Sequence, residues 1–310
     1  DSFNLPISLN GTDGSSTDAG DNIVLDTAGD ENERLLYEGI PPDFSMVPDL
    51  VTAVDGTGTA NVRFGESAGA SITGATGNTL IGFQAGDNMT TATNNVAIGS
   101  YALDAATTAD GNVAIGRRAI DALTTGTKNV GIGVNALGAV TDGGYNIAVG
   151  SASLAANTTA SYNVAVGASS LNANTTGATN TAIGEQALAA NTTASNNTAI
   201  GSYALDANTT GASNVAVGAN ALLTATTAGS NTAVGKDSLK LTTTGATNTA
   251  VGHSALQENT TASDNTAVGS EALAANTTGS ENTAVGKEAL AANTTAQYNT
   301  AMGYRALKTC

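Results

Sequence analysis

The stretch that decides the fold is Asn180-Thr-Ala-Ile-Gly-Glu-Gln-Ala-Leu-Ala-Ala-Asn-Thr-Thr-Ala-Ser-Asn196, because Asn197-Thr-Ala-Ile-Gly201 then begins the same pattern again. The spacing is seventeen residues, and it holds in both directions from here. Gly recurs from Gly65 through Gly99, Gly184 and Gly269 to Gly303, fifteen times without insertion. Four residues before every one of these glycines stands an Asn, as at Asn95, Asn180 and Asn265. Directly before the Gly is Ile or Val, as at Ile98, Ile183 and Val268, with Phe64 and Met302 at the two ends. The residue between is Ala in all copies but those of Arg63, Leu80 and Gly131. Four residues after the Gly comes Leu or Ile, as at Leu103, Leu188 and Leu273, except where Gly69 and Gly86 break the column.

A strict period of this length is the mark of a solenoid, in which each unit is too small to bury a core and must stack on its neighbours. Seventeen residues leave no room for a strand, a useful helix and two turns. The β-branched residues three and one positions before the Gly alternate as a strand does. The fold class expected is therefore all-β: a parallel β-solenoid, a β-roll or β-helix, of fifteen 17-residue coils. The polar run Asn-Thr-Thr-Gly or Asn-Thr-Thr-Ala reads as a bend made by local hydrogen bonding. Its last residue alternates between Ala and Gly, so it does not require positive φ.

Stacked strands lie about 4.8 Å apart, which makes the array a rod of about 70 Å. The invariant Asn has two readings, an amide ladder from coil to coil or a cap on the turn of its own coil. Ile and Leu are expected inside each coil. The Ala column is expected to face outward, small enough for another chain to approach, and so to meet two further copies near the axis of a homotrimer.

Composition narrows the function. The chain has 310 residues with no Trp, four Phe and seven Tyr, and only 12% are charged. Formal net charge is −16, and residues 1–60 hold twelve acids against one base, Arg34. Such a surface repels phosphate backbones and anionic lipid, so nucleic acid is not an expected partner. No run approaches the length of a membrane span. Membrane insertion is not expected.

All four prolines, Pro6, Pro41, Pro42 and Pro48, precede the first repeat. The chain therefore divides into an acidic N-terminal attachment segment (1–39), a Pro-containing connector (40–60) and the shaft (61–310). The first segment reads as a small hairpin with strands near Ile7 and Ile23, or else as an acidic tail. Asp13, Asp18 and Asp21 are oxygen donors of the kind Ca²⁺ takes, but their spacing is not that of an EF-hand loop and turn formation explains them equally. Cys310 is the only cysteine, so no intrachain disulfide can form.

Chemistry-bearing residues are sparse. His253 is the only histidine and sits in a variable column, where other copies carry Lys236, Ser270 or Lys287. It has no second His or nearby Cys with which to build a zinc site or a triad. The acids Glu185, Asp206, Asp237, Glu258 and Glu271 are scattered over variable columns, which argues against the paired carboxylates of a polysaccharide depolymerase. No catalytic residue, cofactor or metal is expected, and the chain is expected not to be an enzyme. Tyr145, Tyr162 and Tyr298 stand just before the repeat Asn and are candidates for stacking on sugars. The receptor-binding residues are not otherwise readable.

Asn-Val-Ala-Ile-Gly and Asn-Thr-Ala-Val-Gly resemble the repeats of trimeric autotransporter adhesin heads. The longer form here, with Ala-Leu and Asn-Thr-Thr-Gly after the glycine, is similar to repeats of bacteriophage tail fibres and other virion fibres. The segment from Ile7 to Leu25 resembles short Gly- and Asp-rich pieces of marine phage structural proteins. These resemblances imply a trimeric structural fibre of a virion that supports host attachment. Its N-terminal segment would join other virion proteins, and a host-surface glycan or protein would be the receptor. The alternative location is the bacterial cell surface, as an adhesin head or filament. A depolymerase tailspike is a lesser alternative.

Overall fold

A computed structural model describes Asn22–Leu25, Leu35–Glu38 and residues 61–309. Within the leader, β1 (Asn22–Leu25) and β2 (Leu35–Glu38) pair antiparallel, Ile23 opposite Tyr37. The strand expected near Ile23 is present. Ile7, the three aspartates considered for Ca²⁺ and Cys310 lie outside the described residues.

The repeats form a parallel β-solenoid, as the spacing requires. Fifteen three-residue strands, from β3 (Val62–Phe64) to β17 (Thr300–Met302), make one parallel sheet in sequence order, with about fourteen turns. The register never slips: Thr181, Ala182 and Ile183 pair with Thr198, Ala199 and Ile200, seventeen residues on. No described residue is helical.

Each coil has one strand, and the rest of the turn is tight bends that stack by the same bonds. Thr181 N donates to Asn197 O at 2.8 Å in the strand region, Leu188 N to Ala204 O at 2.9 Å in the arm after the glycine, and Thr192 N to Thr209 O at 3.1 Å in the far bend. Backbone groups all around the coil thus find partners one coil away, and turns that would otherwise bury unpaired amides are satisfied by their neighbours.

The inside and outside of the coil differ from the sequence expectation. Ala182 and Leu188 are wholly buried, whereas Ile183 is 39% exposed. Ile98 is half-buried, and Val268 is exposed like Ile183. The Ala column therefore lines the interior, and the Val/Thr and Ile/Val columns directly before and after it point out. The reason is interior width. Leu188 reaches into the coil from the arm that follows the glycine, and only a methyl group fits opposite it.

Departures from the columns obey the same limit. Where Leu80 occupies the Ala position, the Leu position four residues after the glycine holds Gly86, whose added Cβ would lie 2.9 Å from Leu80 Cδ2. Where Gly131 occupies the Ala position, an added Cβ would lie 2.6 Å from Ile120 Cγ1. The volume is conserved while its source changes, as close-packed interiors demand. Arg63, in the first coil, turns its guanidinium back to donate to Gly69 O at 2.9 Å.

The repeat glycine is fixed twice over. Gly184 has φ +132, and a Cβ there would stand 2.6 Å from the backbone carbon of Gly201. The Leu column also lies in the left-handed region, with Leu188 at φ 55 and Leu205 at φ 55, a conformation that costs an L-residue roughly 1–2 kcal/mol. Leu is retained there because it fills the core. The bend position that alternates between Ala and Gly shows no positive φ, as the alternation implied. Its Gly copies are needed for a different reason: an added Cβ on Gly177 would lie 2.2 Å from Ala194 O. In those coils Thr176 N also bonds Thr192 O at 3.3 Å, and Thr210 N bonds Thr226 O likewise. From Ala160 to Ala296 two successive coils thus form the structural period.

Candidate functional surface

The invariant Asn column is buried and joins both readings made from sequence. Asn180 N donates to Asn163 Oδ1 at 2.9 Å, one coil back, so the oxygens form a ladder. Asn180 Nδ2 donates to Ala194 O at 2.9 Å and closes the bend of its own coil. Asn95 and Asn265 take the same ladder bond, to Asn78 and Asn248. A second buried Asn column was not anticipated, because Asn157, Asn174 and Asn191 read as surface bend residues. Asn174 Nδ2 bonds Gly177 O at 2.9 Å, and Asn191 Nδ2 reaches Asn174 Oδ1 at 2.8 Å. The signal available was its replacement by Met89, Leu123 and Val140 in early coils, since a position that accepts these residues faces a core. No buried side-chain polar atom among the described residues lacks a partner.

Function must then reside on the outer faces. The broadest is the outward side of the sheet, formed by the residues three and one before each glycine. These thirty positions hold only Val, Ile, Thr, Phe and Met, with no charge and no amide. Ile147 is 41% exposed, Ile200 37% and Val251 37%. In the first half the column three before the glycine is chiefly Val, and from Thr181 onward chiefly Thr.

Three smaller constellations break the repeat. In the early coils, Phe83 and Tyr101 meet edge to face at 5.3 Å, and the Arg118 guanidinium lies 5.7 Å from the Tyr101 ring centre. Beside them Asp87, Asp104 and Asp121 occupy one column in successive coils. Burial, and then the charges of Asp87 and Asp121, push the Asp104 carboxyl above its ordinary range. Asp121 is raised chiefly by burial, although Arg118 opposes the shift.

Further along, Lys128, Tyr145 and Tyr162 share one column. The two tyrosine rings stack at 5.2 Å with 17° between planes, and Lys128 Nζ lies 5.0 Å over Tyr145 and 3.1 Å from its hydroxyl. Tyr298, the third tyrosine of that column, is far along the rod and 72% exposed.

At the last coil, Glu288 is nearly buried beneath Lys308 and Arg305, with Arg305 Nε at 2.9 Å. Hydrogen bonds from Lys308 and then Arg305 hold its carboxyl down at about 2.

The residues considered for catalysis are not brought together. Asp206 is raised by burial alone. Burial also acts on Asp237, but hydrogen bonds from Asn220 and Lys240 outweigh it and hold the carboxyl below its usual range. His253 is exposed, and among the described residues only its backbone carbonyl is engaged, accepting from Glu271 N in the next coil at 2.9 Å. Among the described residues no group of three or more His, Cys, Asp and Glu is placed to hold a metal ion, and no helix is long and apolar enough to cross a membrane. No protein-family model, curated protein or solved structure matches the chain.

Proposed function

We propose that the chain is the non-enzymatic shaft of a homotrimeric fibre on a phage virion, a tail fibre or similar appendage that supports attachment to a host. The observation that carries this reading is the outward sheet face. Fifteen positions in each of two columns, without a charge or amide, leave a continuous strip of apolar and hydroxyl surface along one side, of the kind that marks a protein interface. Solvent alone places no such demand on a polar, acidic chain.

Two further copies of the same rod would cover this face. The faces that meet are therefore the Val/Thr and Ile/Val columns, in place of the buried Ala column. The N-terminal segment joins the shaft to other virion proteins, and a host-surface glycan or protein is the distal partner. The repeat motif, shared in pattern with adhesin heads, favours a trimeric bacterial surface adhesin as the second reading.

Mass photometry of the purified chain tests the assembly: particles of three 30.2-kDa chains are expected, and a stable monomer at micromolar concentration would refute the trimer. Immuno-electron microscopy with antibody to residues 61–309 tests location. Label on a particle appendage supports the virion reading, while label confined to bacterial envelopes supports the adhesin.

A further inference from the structure

From the Lys128, Tyr145 and Tyr162 column we infer a carbohydrate-docking ledge on the flank of the rod, formed by Tyr162 as its wall and by Thr179 and Asn196 as its floor. In a repeat array the shared columns make the fold, and exposed residues that depart from their column are free of that demand. This column is Gly, Asn, Ser or Thr in most coils, yet two successive coils carry tyrosine. Tyr145 is 46% exposed and Tyr162 59%, so neither ring is there to fill a core.

The stack is closed at one end and open at the other. Lys128 covers the outer face of Tyr145, and Tyr145 covers one face of Tyr162. The other face of Tyr162 looks along the rod toward the next coil, where the column residue shrinks to Thr179. The change from a ring to a short side chain leaves a step one ring deep. Beyond it, Thr179 Oγ1 shares its proton between Ala178 O at 2.6 Å and Asn196 Oδ1 at 2.7 Å, and the Asn196 amide is exposed beside it.

A ligand suited to this ledge has one apolar face to lie on a phenol ring and polar groups around its rim. A pyranose has that form: its axial C–H bonds stack on an aromatic face while its hydroxyls reach an amide and a hydroxyl. A peptide would seek a longer apolar groove, and the floor here is polar. The formal net charge of −16 favours neutral saccharides over acidic ones. The inference deepens the attachment role proposed above by naming the ligand class, and it can be tested on the chain whether or not that role holds.

Saturation-transfer NMR and isothermal titration on the intact chain, with cellohexaose, chitohexaose, maltohexaose and mannohexaose as probes and sialyllactose as the acidic comparison, read it directly. At least one neutral hexamer is expected to bind at millimolar concentration, with sialyllactose weaker. Tyr162→Ala is expected to weaken that binding roughly tenfold, the loss of one stacked ring. Thr179→Tyr, which replaces the threonine of the floor and lays a further ring over the open face of Tyr162, is expected to abolish binding on that face. Absence of binding by all four hexamers, or equal binding by wild type and both variants, would overturn the ledge. Mass photometry of the same samples reports separately on the trimer.

Discussion

Asn180 Oδ1 accepts from the backbone N–H of Asn197, one coil on, at 2.9 Å, while its Nδ2 donates to Ala194 O and ties down the bend of its own coil. One side chain thus performs both the stacking and the closure of a turn, and both ends are buried. Only an amide of this length offers an acceptor in one direction and a donor in the other. The invariance of the column follows.

Asn180→Ala leaves the buried N–H of Asn197 without its acceptor, a cost of about 1–3 kcal/mol, and takes from Ala194 O one of its two donors, the other being Asn191 Nδ2 at 3.0 Å. Asn180→Asp keeps the acceptor, loses the donor and buries a charge against a carbonyl. We expect Asp to be the worse substitution, and amide hydrogen exchange to show faster opening centred on the coils of residues 163–214. Equal exchange in the two variants would contradict the double role.

Gly184→Ala and Gly303→Ala separate the two demands on the repeat glycine. Both need positive φ, at +132 and +123, but an added Cβ at Gly184 strikes the next coil while at Gly303 it meets nothing within 4 Å. Strain alone costs on the order of 1–3 kcal/mol. Thermal or denaturant unfolding should therefore show Gly184→Ala as clearly the more damaging, and parity would mean that the close approach of the coils is unimportant.

Leu188→Ala should cost about 2–5 kcal/mol, since it opens a cavity in a wholly buried column. Ile183→Asp has the opposite signature. Its side chain is outward, so circular dichroism should report an intact coil, while the trimer weakens because a charge enters its interface. An Ile183→Asp chain that still trimerises would move the interface elsewhere; one that unfolds would restore Ile183 to the core.

Acid should act in opposite directions on two parts of the rod. Glu288, held at about 2, binds its proton more weakly in the folded state, so it stabilises the last coil above the ordinary value of 4.5 and loses that effect as pH falls toward 2. Glu288→Gln should therefore loosen the C-terminal coil at pH 7 and match wild type near pH 2. Asp104 is raised above 3.8, binds its proton more tightly when folded, and so opposes folding at neutral pH. Asp104→Asn should stabilise the early coils at pH 7, with the gain vanishing as pH falls below the ordinary carboxyl range. Hydrogen exchange across pH, read coil by coil, checks both signs.

The sequence by itself determined the coil length, the parallel register and the glycine column, because a strict seventeen-residue period permits no other stacking and each break would shift every later strand; its fifteen repeats make fifteen strands and about fourteen turns. The last proline, Pro48, precedes the first repeat Asn, Asn61. What only the tertiary structure decided is which way the columns face. Periodicity says that Ala182 and Ile183 lie on opposite sides of a strand, but not which side is closed. Hydrophobicity alone puts Ile183 inside; the left-handed turn that aims Leu188 across a narrow coil puts Ala182 there instead, and leaves the β-branched columns as the outer face. The sequence pointed to Tyr145 and Tyr162, and Met89, Leu123 and Val140 marked the second Asn column as a core position, but that the two rings stack and that Asn174 bonds Asn191 depend on where each bend directs its side chains.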